Sequence, residues 1–388
     1  MTTFVDTSVL LTGHEASDQD PVVVVVRSAH GMLREGLGES ESANFQQEFA
    51  NQYSDKNWPK IFDLLLGNTT VIFKRLAVED GNVESVARIS KTAEGYFDVV
   101  LSILSKMESV EEVVERIETF INSVIDSEPK SVASVQSLKL RLLKTLLTVL
   151  SPRVQLRVTV VHGLCRFGQE NPKFKSAVFA LVKDTSKWID EFEWEVSNEE
   201  KFQLYQEIVA IAESSQKIEY MRKQLECAPA ANKAALAHAV EIEILNHPGY
   251  FDFASLSNSV DPQIQKCVSI YVSGSYKEMA SFVASVEGSK NFAGVDLPTV
   301  LEKMRIVSIQ AMATGKTRLS ISAIASELAV DDPLPIIVKA MQAGLVYGAI
   351  NGVEGVVEIH AVKPRSKSVN EWASVQAKLN KIVQRYHE

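Results

Sequence analysis

Residues 319–362 read LSISAIASELAVDDPLPIIVKAMQAGLVYGAINGVEGVVEIHAV, and the fold turns on them. Ile321, Ile324, Ala325 and Leu328 recur three and four apart, which puts them on one face of a helix over 321–328. Ser320 stands where an N-cap acceptor is expected. Asp331 and Asp332 then open a second helix, with Pro333 in its first turn, and Ile336, Ile337, Ala340 and Met341 facing inward. Gly344 follows at the position that favours left-handed backbone after a helix. Residues 346–350 alternate, Asn351-Gly352 is a tight-turn pair, and residues 356–362 alternate back.

A helical run over 303–313 lies in front of this stretch, so the order is helix, helix, helix, β-ribbon. That is the order of a winged helix, placed here over 299–363, and such a unit either reads nucleic acid or joins protein subunits. Charge separates the two uses. The basic residues of 299–363 are Lys303, Arg305, Lys316, Arg318, Lys339 and Lys363. Glu302, Glu327, Asp331, Asp332, Glu354 and Glu358 cancel them. Phosphate-driven affinity needs uncompensated positive charge. A groove-reading second helix would also bring Asp331 and Asp332 to the phosphates, and it exposes little beyond Lys339 and Gln342. Sequence-specific DNA binding is therefore not expected. Protein contact through an exposed strand edge is, with Val346, Tyr347, Val357 and Ile359 as candidate contact residues.

The tail, 364–388, reads as one more amphipathic helix. Trp372, Val375, Leu379, Ile382 and Tyr386 step by three and four, a heptad seam. The seam either folds back on the winged helix or joins a bundle with partner tails. Lys363, Arg365, Lys367, Lys378, Lys381 and Arg385 give the tail a basic face, suited to RNA or acidic protein.

Upstream, in a stretch placed over 41–298, residues 42–250 are helical nearly throughout. Ile61, Leu64, Leu65, Val71, Ile72, Leu76 and Val78 recur at roughly helical spacing, as do Val113, Ile117, Phe120, Ile121 and Val124. Leu138, Leu142, Leu143, Leu146, Leu147 and Leu150 form a further stripe that Ser151-Pro152 ends. Successive helices with short connections and almost no strand pattern before 345 predict an α-helical repeat solenoid without a consensus repeat. Trp188, Ile189, Phe192 and Trp194 cluster within it, either as core between helices or as an aromatic anchor for a partner. Residues 1–40 are expected to be a flexible lead-in, with 22–26 either a short strand or the start of a helix.

No chemistry-bearing constellation stands out. Gly315-Lys316-Thr317 lacks the upstream glycine and preceding strand of a phosphate-binding loop, and reads as a helix end followed by a basic turn. The seven histidines and the cysteines Cys165, Cys227 and Cys267 have no metal-ligand spacing. Neither a catalytic site nor a metal or cofactor is expected. The net charge of −9 supplies no overall field for nucleic acid, and no apolar run approaches the ~20 residues of a membrane span. A cytoplasmic location with nuclear access follows as the default.

Helical repeats closed by a winged helix and a tail helix resemble the PCI-domain family, shared by the proteasome lid, the signalosome and translation initiation factor 3. Residues 137–143 carry the resemblance, with Lys187-Trp188-Ile189, Phe251-Asp252-Phe253 and Leu256. So do Glu302-Lys303-Met304-Arg305, Ser326-Glu327-Leu328, Gly344-Leu345-Val346-Tyr347, Trp372 and Leu379-Asn380-Lys381. These are packing signatures. The resemblance implies a PCI module whose helical part starts near 197, and a non-catalytic scaffold whose partners are other PCI-domain subunits. In initiation factor 3, such a scaffold would support small-ribosomal-subunit binding and messenger RNA recruitment. Membership of the signalosome, or of both complexes, is the alternative.

Overall fold

The computed structural model describes residues 33–107, 109–151, 156–251, 253, 261–287, 292 and 294–365. The chain divides into two compact units, Met1–Glu213 and Ser214–Glu388. Both are mainly helical, and the strands lie in the second.

In the first unit the helices are α1 (Glu39–Ser54), α2 (Trp58–Leu66), α3 (Thr69–Val78), α4 (Val83–Leu104) and α5 (Val110–Asp126). They are followed by α6 (Ala133–Val149), α7 (Arg157–Glu170), α8 (Lys175–Val182), α9 (Thr185–Glu191) and α10 (Asn198–Ile211). Local chemistry starts several of them. The side chains of Asn57, Asn82 and Ser109 each accept a first-turn N–H, and Ser197 forms a reciprocal capping box with Glu200. The run read as one stripe over 61–78 is broken at Gly67 and Asn68 into α2 and α3. Val78, counted in that stripe, is 76% exposed, because α3 ends there and its last side chain turns outward.

Packing reaches beyond sequence neighbours: α4 lies on α2, α3 and α6, and α7 on α5, α6, α8 and α10. Aromatic rings fill the centre. Phe97 meets Phe73 at 5.7 Å between centroids and Phe120 edge-on at 6.1 Å. Tyr96, fully buried, donates to the carbonyl oxygen of Leu65 at 2.7 Å, which satisfies its hydroxyl inside an apolar core. Ile189 and Trp194 are buried and Trp188 packs against the Arg157 guanidinium, so most of the aromatic cluster is core.

The second unit contains α11 (Ser214–Cys227), α12 (Ala230–Asn246), α13 (Pro262–Ser273), α14 (Tyr276–Val286) and α15 (Leu297–Ala313). Then come β1 (Arg318–Ser320), α16 (Ile321–Leu328), α17 (Leu334–Gln342), β2 (Val346–Asn351) and β3 (Val356–Val362). The strands form one antiparallel sheet in the order β1-β3-β2. Helix α15 is the hub, with α12, α14, α16, α17 and all three strands packed around it.

The expected elements of 319–362 are present, with differences in detail. A third strand, β1, was not anticipated. Three residues are too few for an alternation signal, and only pairing with β3 defines them. Ser320 occupies the N-cap of α16, but its hydroxyl bonds Ser322 Oγ at 2.7 Å and caps nothing. Pro333 is the N-cap of α17 and not a first-turn residue, while Asp332 accepts from Leu334 N at 3.0 Å. Ile336 and Met341 are half-buried; Ile324, Leu328, Ile337 and Ala340 form the core. The hairpin turn is four residues long, not a two-residue Asn-Gly turn. Left-handed backbone falls at Gly355 (φ 67°), and Asn351 Oδ1 accepts from Glu354 N at 3.1 Å. Gly344 does adopt the left-handed conformation expected of it, φ 67°.

Candidate interaction surface

The sheet exposes one edge. Strand β3 is central and β1 covers its far side, so among the described residues β2 has no strand on its outer flank. An unpaired strand edge is a template for another chain. The pairing of β2 with β3 slips between Tyr347 and Gly348, leaving His360 as the extra residue on β3. Glycine is required beside this bulge, since a Cβ on Gly348 would stand 2.0 Å from the carbonyl oxygen of Glu358.

The candidate residues separate by strand. Val357 and Ile359 lie on the central strand with side chains buried, and Val346 is buried on β2. These three face the unit's own interior, because the alternating positions that look like a contact stripe are what seats the sheet on α15 and α17. Tyr347 is 55% exposed and does face outward. Trp372, Val375, Leu379, Ile382 and Tyr386 lie outside the described residues.

Exposed apolar residues missed by the sequence reading adjoin the edge. Val353, at the hairpin tip, is fully exposed, and Ile350 is 37% exposed although it opposes buried Val357. Leu334 and Val338 project from α17, which therefore presents more than Lys339 and Gln342. Periodicity alone does not find these residues, because their exposure depends on which neighbours the fold supplies. The nearby cations are engaged. Arg318 reaches Glu354 at 3.3 Å and Glu358 at 3.2 Å, and Lys339 bonds Glu302. This surface is apolar and charge-neutral, which suits protein better than phosphate.

Buried cations brace the helix ends behind it. Lys303 is almost wholly buried on α15 and donates to the carbonyl oxygens of Ile244 (2.6 Å) and Leu245 (3.3 Å) in the last turn of α12. Those carbonyls are among the four that a helix leaves unpaired. The Lys303 ammonium also sits 4.9 Å from the Phe253 ring, which stacks on Tyr271 at 4.1 Å. Burial pushes Lys303 down to about 7. Arg365, just beyond β3, donates to Tyr271 O at 2.6 Å and Gly274 O at 3.1 Å at the end of α13. The Gln310 side-chain amide donates to the Lys363 carbonyl, so the chain leaving β3 is held on α13 and α15.

The first unit repeats the device. Lys139 on α6, fully buried, donates to Ile125 O at 3.1 Å and to Ser127 O at the end of α5, over the Phe73 ring. Burial, then the Lys130 charge, pulls it down to about 8. Arg157 donates to Leu147 O near the end of α6 at 3.0 Å. Several stretches that carried the family resemblance thus have a physical role: Lys139 and Lys303 close helix ends, and Phe253 lies against the Lys303 ammonium.

Other chemistry-bearing residues join helices or lie in the core. His162 Nδ1 lies 2.8 Å from Glu207 Oε2, joining α7 to α10. Cys165 and Cys267 are buried, and burial pushes both thiols up. Gly315 (φ 75°) and Lys316 make the turn after α15, as read. Among the described residues no cluster of metal-ligating side chains occurs, and no helix is long and apolar enough to cross a membrane.

No family profile matches the chain. Curated proteins similar to it include two of one name. Eukaryotic translation initiation factor 3 subunit M of Dictyostelium discoideum is 21% identical over 311 residues, covering 74% of each chain. The subunit of the same name from Nematostella vectensis is 27% identical over 123 residues, 31% of this chain and 32% of its own length. The chain is therefore similar to initiation factor 3 subunit M, along most of its length in the first comparison.

Proposed function

We propose that this protein is a non-catalytic scaffold subunit of translation initiation factor 3, in the position of subunit M. The observation that carries the reading is the similarity to a named subunit M across 74% of both chains. The architecture supports it. Residues 299–363 supply a winged helix: α16 and α17 are its core pair, β1 completes its sheet, and the β2–β3 hairpin is its wing. The helices before it are the repeat portion of a PCI domain. The β2 edge, with Tyr347, Ile350 and Val353, joins a neighbouring PCI subunit, and the seam of Trp372, Val375, Leu379, Ile382 and Tyr386 enters a helical bundle. The subunit acts in the cytoplasm, where its complex supports small-ribosomal-subunit binding and messenger RNA recruitment.

Affinity purification of the tagged full chain under gentle salt tests this reading. Initiation factor 3 subunits are expected to co-purify and to co-sediment with small ribosomal subunits. A chain that purifies alone refutes it, and one that brings down signalosome subunits instead moves it to that complex.

A further inference from the structure

The second unit carries an open cleft of about 400 Å³ with three walls. The loop after α12 supplies Pro248 and Phe251, α15 supplies Lys303 and Ile306, and the end of α17 supplies Gln342 and Ala343. Four of these are apolar, and Phe251 is only half-buried. Gln342 stands one turn beyond exposed Val338, which stands one turn beyond exposed Leu334, so the cleft opens onto the apolar face of α17. A concave site with apolar walls and one fixed charge is the usual form of a binding pocket.

The charged residues in the walls are Glu302, Lys303 and Lys339. Glu302 and Lys339 bond one another, so Lys303 is the charge left over. An ammonium has three N–H groups to place. Two go to Ile244 O and Leu245 O, and the third meets no oxygen among the described residues, only the Phe253 ring. The group whose charge would support it, the Cys267 thiol, is pushed up to about 12 by burial and stays neutral. A buried cation without a counter-ion is costly, and a carboxylate in the cleft would supply the missing charge where the surroundings screen it little. A second cation would be repelled. A phosphate dianion would need several free donors and would find one, with Glu302 in the same wall.

We infer that this cleft receives an acidic side chain of a neighbouring subunit, an aspartate or glutamate flanked by leucine, isoleucine or phenylalanine. The carboxylate lies beside Lys303, and its apolar neighbours cover Phe251 and the Leu334–Val338 face of α17. This inference rests on the reading of the chain as an assembly subunit. It adds the chemistry of one partner segment, at a site that includes no residue of β2 or of the tail seam.

The test places a photo-cross-linker on the exposed rim of the cleft in the full chain, Gln342→p-benzoylphenylalanine, and irradiates the affinity-purified assembly. The expected product joins position 342 to another subunit, within a segment where an aspartate or glutamate adjoins leucine, isoleucine or phenylalanine. In a Lys303→Met background the cross-link yield falls roughly tenfold, the scale of one lost charge-assisted contact. Ala343→Leu, which fills the cleft and keeps Lys303, lowers the yield as far. Should Lys303→Met also lower the melting temperature, Ala343→Leu decides alone. A cross-link to a basic segment, to RNA, to a second copy or to this chain's own residues overturns the inference, as does a yield that both variants leave unchanged. A chain that co-purifies with its partners yet cross-links to none from position 342 overturns the cleft alone. A chain that enters no assembly overturns the subunit reading together with it.

Discussion

Replacing Lys303 by methionine should change how stability depends on pH more than it changes stability at neutrality. The ammonium is almost wholly buried and holds Ile244 O and Leu245 O. Losing it leaves two carbonyls without a donor, at roughly 1–3 kcal/mol each. The same substitution removes a buried charge, and apolar replacement of a buried ion is often neutral or stabilising. Near pH 7 the two effects largely cancel. Above pH 7 they separate. In the fold Lys303 titrates at about 7, against an ordinary value of 10.5. Between those values the unfolded chain holds a proton that the folded chain has released. Stability therefore rises with pH by up to about 1.4 kcal/mol per unit, and the gain is lost as pH falls through 7.

Methionine has no such term. From pH 7 to pH 9 the wild type should gain about 2 kcal/mol over Lys303→Met, since the folded lysine is still half protonated at pH 7. Other titrating groups, Lys139 among them, are common to both proteins and drop out of the difference. Cys267, held high by burial, does not drop out because it interacts with the Lys303 charge, and it limits the useful window to pH 9. Urea unfolding followed by far-ultraviolet circular dichroism, at three pH values, measures the difference. Parallel curves for the two proteins would show that Lys303 stays charged in the fold, and the reasoning would be wrong.

Three other perturbations separate the parts of the second unit. Gly348→Ala places a methyl 2.0 Å from a backbone oxygen, so β2 must shift; a loss of about 1–3 kcal/mol and faster amide exchange along β2 are expected, and unchanged exchange would contradict the bulge geometry. Ile337→Ala empties a core position of α17 and should cost about 2–5 kcal/mol in denaturant unfolding, whereas a cost under 1 would mean that this helix is not seated on α15. Leu379→Asp, on the tail seam, should leave the melting temperature unchanged and reduce co-purification of partner subunits. Normal incorporation would remove the tail from the bundle.

The sequence was informative wherever one periodicity decided burial. Helices α5 and α6 follow stripes of Val113, Ile117, Phe120, Leu138, Leu142 and Leu146, all of them buried. Helices α16 and α17 and the β2–β3 hairpin stand where the alternation and turn residues put them. The same periodicity misled at the sheet. Val346, Val357 and Ile359 alternate as a partner-facing stripe would, but strand order makes β3 central and turns these side chains inward. Tyr347 keeps its exposed place because β2 is an edge, a fact of pairing and not of composition.

By itself, then, the sequence determined helical content, the order of the helices and the hairpin in 319–362, and the balanced charge of 299–363. These depend on spacing and on summed charge, which are local or additive. Tertiary structure alone decided which strand is the edge and which apolar side chains stay uncovered. It also decided that Lys139 and Lys303, ordinary lysines in the sequence, are buried clasps on helix ends. Each of these depends on which residues distant in the chain meet, and a lysine fifty-nine residues from the carbonyl it holds leaves no mark in any local pattern.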